Sequence, residues 1–143
     1  MDTLGTMIKQ NGGRIRAIAP DETVLAAAQR MNEDRIGSLV VMQGSTLVGI
    51  FTERDILTRV VAAKRDPATT AVATVMTKDP LTSDPKVTVS QAREIMRQER
   101  IRHLPVCDCD GVVGMVSMGD LNAFESQRLH LHINSLESYI TGS

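Results

Sequence analysis

The chain has 143 residues, enough for one compact domain or for two half-domains packed as one. A formal net charge of −1 excludes a broad basic surface for nucleic acid, and only Phe51, Phe124 and Tyr139 could serve as base-stacking platforms. No apolar run approaches the roughly 20 residues that cross a bilayer, so no membrane association is expected. The start, Met1-Asp2-Thr3-Leu4, lacks the basic and apolar regions of a secretory signal, and two cysteines make no disulfide framework. The expected compartment is the cytoplasm.

The first fifteen residues predict a short helix followed by the turn Asn11-Gly12-Gly13. Arg16-Ala17-Ile18 reads as a short strand ended by Pro20. Thr23 then caps a helix carrying Val24, Ala27, Ala28 and Met31 at helical spacing. Gly37 is expected to close that helix in a left-handed conformation. Ser38–Met42 and Leu47–Phe51 are strands of a hairpin turned by Gln43-Gly44-Ser45-Thr46. A helix starting at Thr52 carries Ile56, Leu57, Val60 and Val61. Residues 64–80 read as an ordered linker with one helical turn. The pattern then recurs: a short strand at Leu81-Thr82, a helix with the capping box Thr88/Gln91, strands at His103–Cys107 and Val112–Val116, and a long helix from Ser117.

The recurrence is a true repeat. Residues 20–57 and 85–122 align without a gap at an offset of 65, with twelve identities in thirty-eight positions. The fold class is therefore mixed α/β, a β-α-β-β-α unit occurring twice about a pseudo-two-fold relation, with matching clefts beside the joint. The expected boundaries are an N-terminal segment with the first repeat over 1–66, a linker over 67–80, the second repeat over 81–125 and a helical extension over 126–143.

The sharpest motif is duplicated as well: Gly49-Ile50-Phe51-Thr52-Glu53-Arg54-Asp55 and Gly114-Met115-Val116-Ser117-Met118-Gly119-Asp120. Taken singly, Ser/Thr-x-x-Asp is a capping box that satisfies free amides of a first helical turn. Its recurrence after a strand carries more. The glycine lets another group approach the backbone. The carboxylate can accept two hydrogen bonds from the vicinal hydroxyls of a ribose, and the amides and hydroxyl suit a phosphate.

The repeat, this Gly-h-h-Thr/Ser-x-x-Asp motif, the linker Val75-Met76-Thr77 and the run Arg102-His103-Leu104-Pro105-Val106 resemble a tandem pair of cystathionine-β-synthase (CBS) domains, a Bateman module. The resemblance covers residues of about 15 to 125. It implies a disc-like module that binds AMP, ADP, ATP, NAD(H) or S-adenosylmethionine in clefts between the repeats and pairs into a homodimer. By that resemblance Asp55 and Asp120 are the ribose acids, Thr52 and Ser117 lie near the ribose or phosphates, and Ile50 and Met115 face the adenine. Arg16, Ile36 and Gly37 would wall the Asp120 cleft, and Leu81, Ile101 and Arg102 the Asp55 cleft. Arg102 and His103 resemble residues that point at phosphates. The copies differ here, since Gly37 and Ser38 stand opposite them, and Arg54 stands opposite Gly119. The clefts should not be equivalent.

Cys107-Asp108-Cys109-Asp110 offers two thiolates where a structural zinc wants four ligands, and a hairpin must turn there, so no metal is expected. His130 and His132, two apart on a helix, are expected to be solvated. Met31, Met96 and Met118 read as core filler, with an adenine-wall alternative for Met115. No catalytic pairing is suggested and an enzyme is not indicated. Leu129, Ile133, Leu136 and Ile140 form a heptad-like stripe expected to serve a dimer contact. The expected function is regulatory, a sensor of adenine nucleotides acting on an unidentified regulated protein. The rival is a scaffold whose clefts are filled by side chains.

Overall fold

The computed structural model describes the backbone of residues 2–141, and the side chains of these except 132 and 135–141. The N-terminal helix α1 (Leu4–Gln10) is capped by Thr3, whose hydroxyl accepts from the Thr6 amide. Then follow β1 (Ala17–Ile18), α2 (Val24–Asp34), β2 (Ser38–Gln43), β3 (Thr46–Thr52) and a single turn α3 (Glu53–Asp55). The linker forms α4 (Val72–Val75) and β4 (Thr77–Lys78), and the second repeat forms α5 (Val89–Glu99), β5 (His103–Asp108), β6 (Gly111–Ser117) and α6 (Met118–Thr141).

One sheet has the order β1-β2-β3-β4, with β1 parallel to β2 and the other pairs antiparallel; the second sheet is the hairpin β5-β6. Both hairpins carry an irregularity at the same place, between Val41 and Met42 and between Val106 and Cys107. The expected strand at Leu81-Thr82 does not form. A single parallel bridge from Ser83 to Val106 replaces it, closed by bonds Ser83 N to Pro105 O and Cys107 N to Ser83 O at 2.9 and 2.8 Å.

The helix caps explain a second difference. Thr23 and Thr88 cap α2 and α5 as expected. The left-handed residue at each C-terminus is instead Arg35 (φ 55°) and Arg100 (φ 57°), while Gly37 takes no positive φ. A left-handed arginine costs roughly 1–2 kcal/mol. It is compensated as its amide donates back to residue 31 or 96, and as Ile36 and Ile101 close the turn with bonds to the same carbonyls at 3.0 Å.

Each repeat has its own core. Val24, Ala27, Met31, Leu39 and Val41 are buried in the first, and their repeat mates Val89, Ala92, Met96, Leu104 and Val106 in the second. Each core is finished by a segment from outside the repeat. Val72 and Val75 of α4 pack into the first core, and Leu4 and Met7 of α1 into the second. The hydrogen bonds correspond one for one. Val24 N to Thr70 O, Val72 N to Glu22 O and Ala73 N to Pro20 O are matched by Val89 N to Asp2 O, Leu4 N to Val87 O and Gly5 N to Pro85 O. The N-terminal segment thus belongs physically to the second repeat.

The same correspondence corrects the reading of Gly49 and Gly114. A Cβ on Gly49 would lie 2.6 Å from Met76 Sδ, and one on Gly114 would lie 3.1 Å from the Ile8 side chain. The group approaching the glycine backbone is the chain's own finishing segment.

The helix after Thr52 winds as a π-helix over Ile56–Val61, so Val60 is buried while Leu57 and Val61 are 64% and 61% exposed. The described part of the C-terminal stripe, Leu129 and Ile133, is exposed, as is His130. The side chains of Leu136, Ile140 and His132 lie outside the described residues.

Candidate functional site

The cap motif is built identically in both repeats. Thr52 N donates to Asp55 Oδ2 at 3.0 Å, and Asp55 N to Thr52 Oγ1 at 3.3 Å. Ser117 N donates to Asp120 Oδ2 at 2.8 Å, and Asp120 N to Ser117 Oγ at 3.0 Å. The next amides are also engaged, Glu53 N with Gly37 O at 3.0 Å and Met118 N with Arg102 O at 2.9 Å. An anion at either helix start therefore depends mainly on side chains. Capping uses only one oxygen of each aspartate, so at Asp120 the capping role and a free carboxylate edge coexist.

Beside Asp120 lies a cavity of about 130 Å³ lined by Arg14, Ile15, Arg16, Ile36, Ser38, Val40, Gly114, Met115 and Asp120. A smaller hollow continues it under α1, past Asn11 and Gly13. The wall is apolar where an aromatic base could lie (Ile36, Val40, Met115) and charged at its rim. Arg16 is held by Asp34 at 2.7 Å, whereas Arg14 makes no ion pair among the described residues. The structure thus brings together five residues singled out in the sequence: Arg16, Ile36, Ser38, Met115 and Asp120. Gly37 sits apart, in a broader hollow on the helical side with Glu53, whose carboxylate it faces. Ser117 caps α6 beside the cavity.

In the other half, Asp55 is 7% exposed. Its Oδ1 lies 3.7 Å from Arg59 Nε, and Arg59 Nη1 donates to Val75 O and Met76 O at 3.1 Å each. Ile50 is buried opposite Val40. Leu81, Arg54 and Arg102 are exposed, and Ile101 packs against the second core. His103 stands between the halves at the start of β5, opposite Ser117. Burial pushes its pKa below the ordinary imidazole value; Arg102 adds to this, while Asp120, Asp55 and Glu53 pull the other way. It is a neutral imidazole near pH 7.

As site residues, sequence reasoning missed Arg14, Ile15, Val40, Asn11, Gly13 and Arg59. The Asp55/Arg59 spacing of four on a helix was a readable ion-pair signal. The position of Arg14 depends on the turn after α1 and had no local signature. In the β5–β6 turn, Asp110 N donates to Asp108 Oδ1 at 2.8 Å, and Gly111 takes φ 124°, the turn chemistry expected there. Burial, aided by Asp108, raises the Cys107 pKa and keeps that thiol protonated.

Two α/β repeats, cross-finished by short helices and carrying paired capped aspartates, define a tandem module with a cleft at its joint. The profile of the CBS domain matches residues 13–62 and 72–125, and the chain belongs to that family as a tandem pair. It is 35% identical over 127 residues to the mitochondrial CBS domain-containing protein CBSX3 of Arabidopsis thaliana, which covers 85% of this chain and 62% of that protein. The chain therefore spans somewhat less than two thirds of that relative's length. Among solved structures, the CBS domain protein NE2398 superimposes with a TM-score of 0.81 at 35% identity, over 87% of this chain and 97% of that one. A hexameric CBS-CP12 protein from bloom-forming cyanobacteria gives a TM-score of 0.74 at 28% identity, over 83% and 65% of the two chains. Among the described residues no helix is long and apolar enough to cross a membrane.

Proposed function

We propose that this chain is a regulatory module that binds an adenosine-containing ligand (AMP, ADP, ATP or NAD(H)) at the joint of its two repeats, without catalysis of its own. The observation that carries the reading is the Asp120 cleft. There an exposed carboxylate with one uncommitted oxygen, a rim arginine and an apolar wall converge on one cavity. The carboxylate suits two ribose hydroxyls, which donate to a charged acceptor at about 1.5–3 kcal/mol per bond. The wall of Ile36, Val40 and Met115 suits the face of a purine, and Arg14 suits a phosphate.

Regulation follows from the two-part construction. A ligand held by β6 and α6 on one side and by residues 14–16 and β2 on the other ties the repeats together. It favours whichever arrangement binds it better. The output passes to a second copy or to a regulated protein. Self-association agrees with the hexameric CBS-CP12 relative in fold and with the exposed Leu129 and Ile133. The cytoplasm stays the proposed location. A thermal-shift panel of AMP, ATP, NADH and S-adenosylmethionine tests the reading: a sensor is stabilised by mass action, by about 2.7 kcal/mol at a hundredfold excess over Kd. A panel with no shift at millimolar ligand favours the scaffold.

A further inference from the structure

The pseudo-two-fold relation makes Asp55 and Asp120 counterparts, yet the chain treats them unequally. Asp55 is buried, and both its oxygens are engaged, Oδ2 by the Thr52 amide and Oδ1 by Arg59. Arg59 is no loose surface partner, since its guanidinium is also fixed by the carbonyls of Val75 and Met76, where α4 meets β4. The π-helical winding of Ile56–Val61 turns Val60 into the core and leaves Arg59 over Asp55. In the second repeat the helix stays α-helical. The residue at the Arg59 position is Phe124, buried in the core, and the nearest arginine beyond it, Arg128, is held by Asp2 through two bonds of 2.9 Å. Asp120 is therefore exposed, and its Oδ1 has no partner among the described residues.

We infer that the chain holds one nucleotide per copy, at Asp120, and that Arg59 acts as a built-in occupant that withdraws Asp55 from ligand binding. The inference rests on the nucleotide-binding reading above and deepens it. For a ribose to use Asp55, it must displace an ion pair and two carbonyl hydrogen bonds from a half-buried place, and it offers two neutral hydroxyls in exchange. At Asp120 nothing is displaced but water. The ligand class follows from the same lining: a nucleoside phosphate with free 2′ and 3′ hydroxyls toward Asp120 and its anionic end toward Arg14, the cation there without an ion pair among the described residues.

Titration calorimetry of the full chain with AMP is the test. One site per chain is expected, Asp120→Asn should weaken it at least tenfold, and Arg59→Met should add a second, weaker site. Two sites per wild-type chain would overturn the inference and leave the nucleotide-binding reading standing. Undiminished binding by Asp120→Asn would overturn the inference and the Asp120 cleft as the site, while showing that the chain does bind nucleotide. A stoichiometry of one that Arg59→Met leaves unchanged would remove the role given to Arg59. No heat with AMP, ATP or NADH would defeat the parent reading and this one together. The wild-type stoichiometry needs no variant to fold.

Discussion

Leu4→Ala offers a test of how the two repeats are finished. Leu4 is fully buried among Val89, Ala92, Met96, Leu104 and Phe124 of the second core, although it lies at the start of the chain. Truncation to alanine removes three carbons, about 2–3 kcal/mol of transfer free energy at about 0.8 kcal/mol each. The cavity left behind raises this to about 3–5 kcal/mol. Against a total stability of about 5–15 kcal/mol for a domain, that is a large fraction. In urea, with a slope of about 2 kcal/mol per molar, the midpoint should fall by about 1.5–2.5 M at fixed protein concentration. Leu25→Ala, at a leucine that is 41% exposed, is the control and should cost only about 1–1.5 kcal/mol. If the two variants unfold at the same urea concentration, α1 does not complete the second core and the cross-finished fold is refuted.

Gly49→Ala should be the harsher of the two glycine substitutions. Its Cβ would meet Thr77 O at 2.7 Å as well as Met76 Sδ, whereas the Gly114 Cβ would meet only the yielding Ile8 side chain. We expect about 2–3 kcal/mol of destabilisation at Gly49 and about 1 kcal/mol at Gly114; equal effects in chemical denaturation would contradict the packing. His103, with a folded pKa below its unfolded value, is kept neutral by the fold, so the unfolded chain binds the extra proton. Stability should be fully present above about pH 6.5 and decline as pH falls below it, and His103→Gln should flatten that part of the profile. Removing residues 127–143 should weaken self-association, read by light scattering at micromolar protein; a truncated chain that stays as tightly associated as the intact one would remove the role given to the stripe from Leu129 onward.

What was legible in the sequence was whatever is local and repeated. Thr23, Thr88, Thr52 and Ser117 announce helix starts by side chain–amide chemistry within four residues, and the hairpins follow from β-branched runs around Gly44 and Gly111. Five of the twelve repeat identities proved to be core residues. The features that escaped are long-range. Leu4 pairs with Val87, and no periodicity links positions so far apart. The finishing segments Asp2–Ile8 and Thr70–Met76 lie outside the gapless alignment, so the repeat itself concealed their equivalence. Gly37 looked like a helix stop because glycine normally takes the left-handed place, but tertiary packing of Ile36 and Ile101 puts arginine there instead. At the site, the motif pointed to Asp120 and Met115 and the resemblance to Ile36, whereas Val40 was not singled out, and Arg14 reaches the cavity only because the turn after α1 delivers it.

The central claim is that the Asp120 carboxylate recognises a ribose. Calorimetric comparison of AMP with its 2′,3′-dideoxy counterpart, on the wild-type protein in one buffer, tests it most directly. The dideoxy compound keeps the base and phosphate but leaves the carboxylate desolvated without donors, at about 1–3 kcal/mol or more. The account predicts binding at least tenfold weaker than that of AMP. Equal affinities would contradict it.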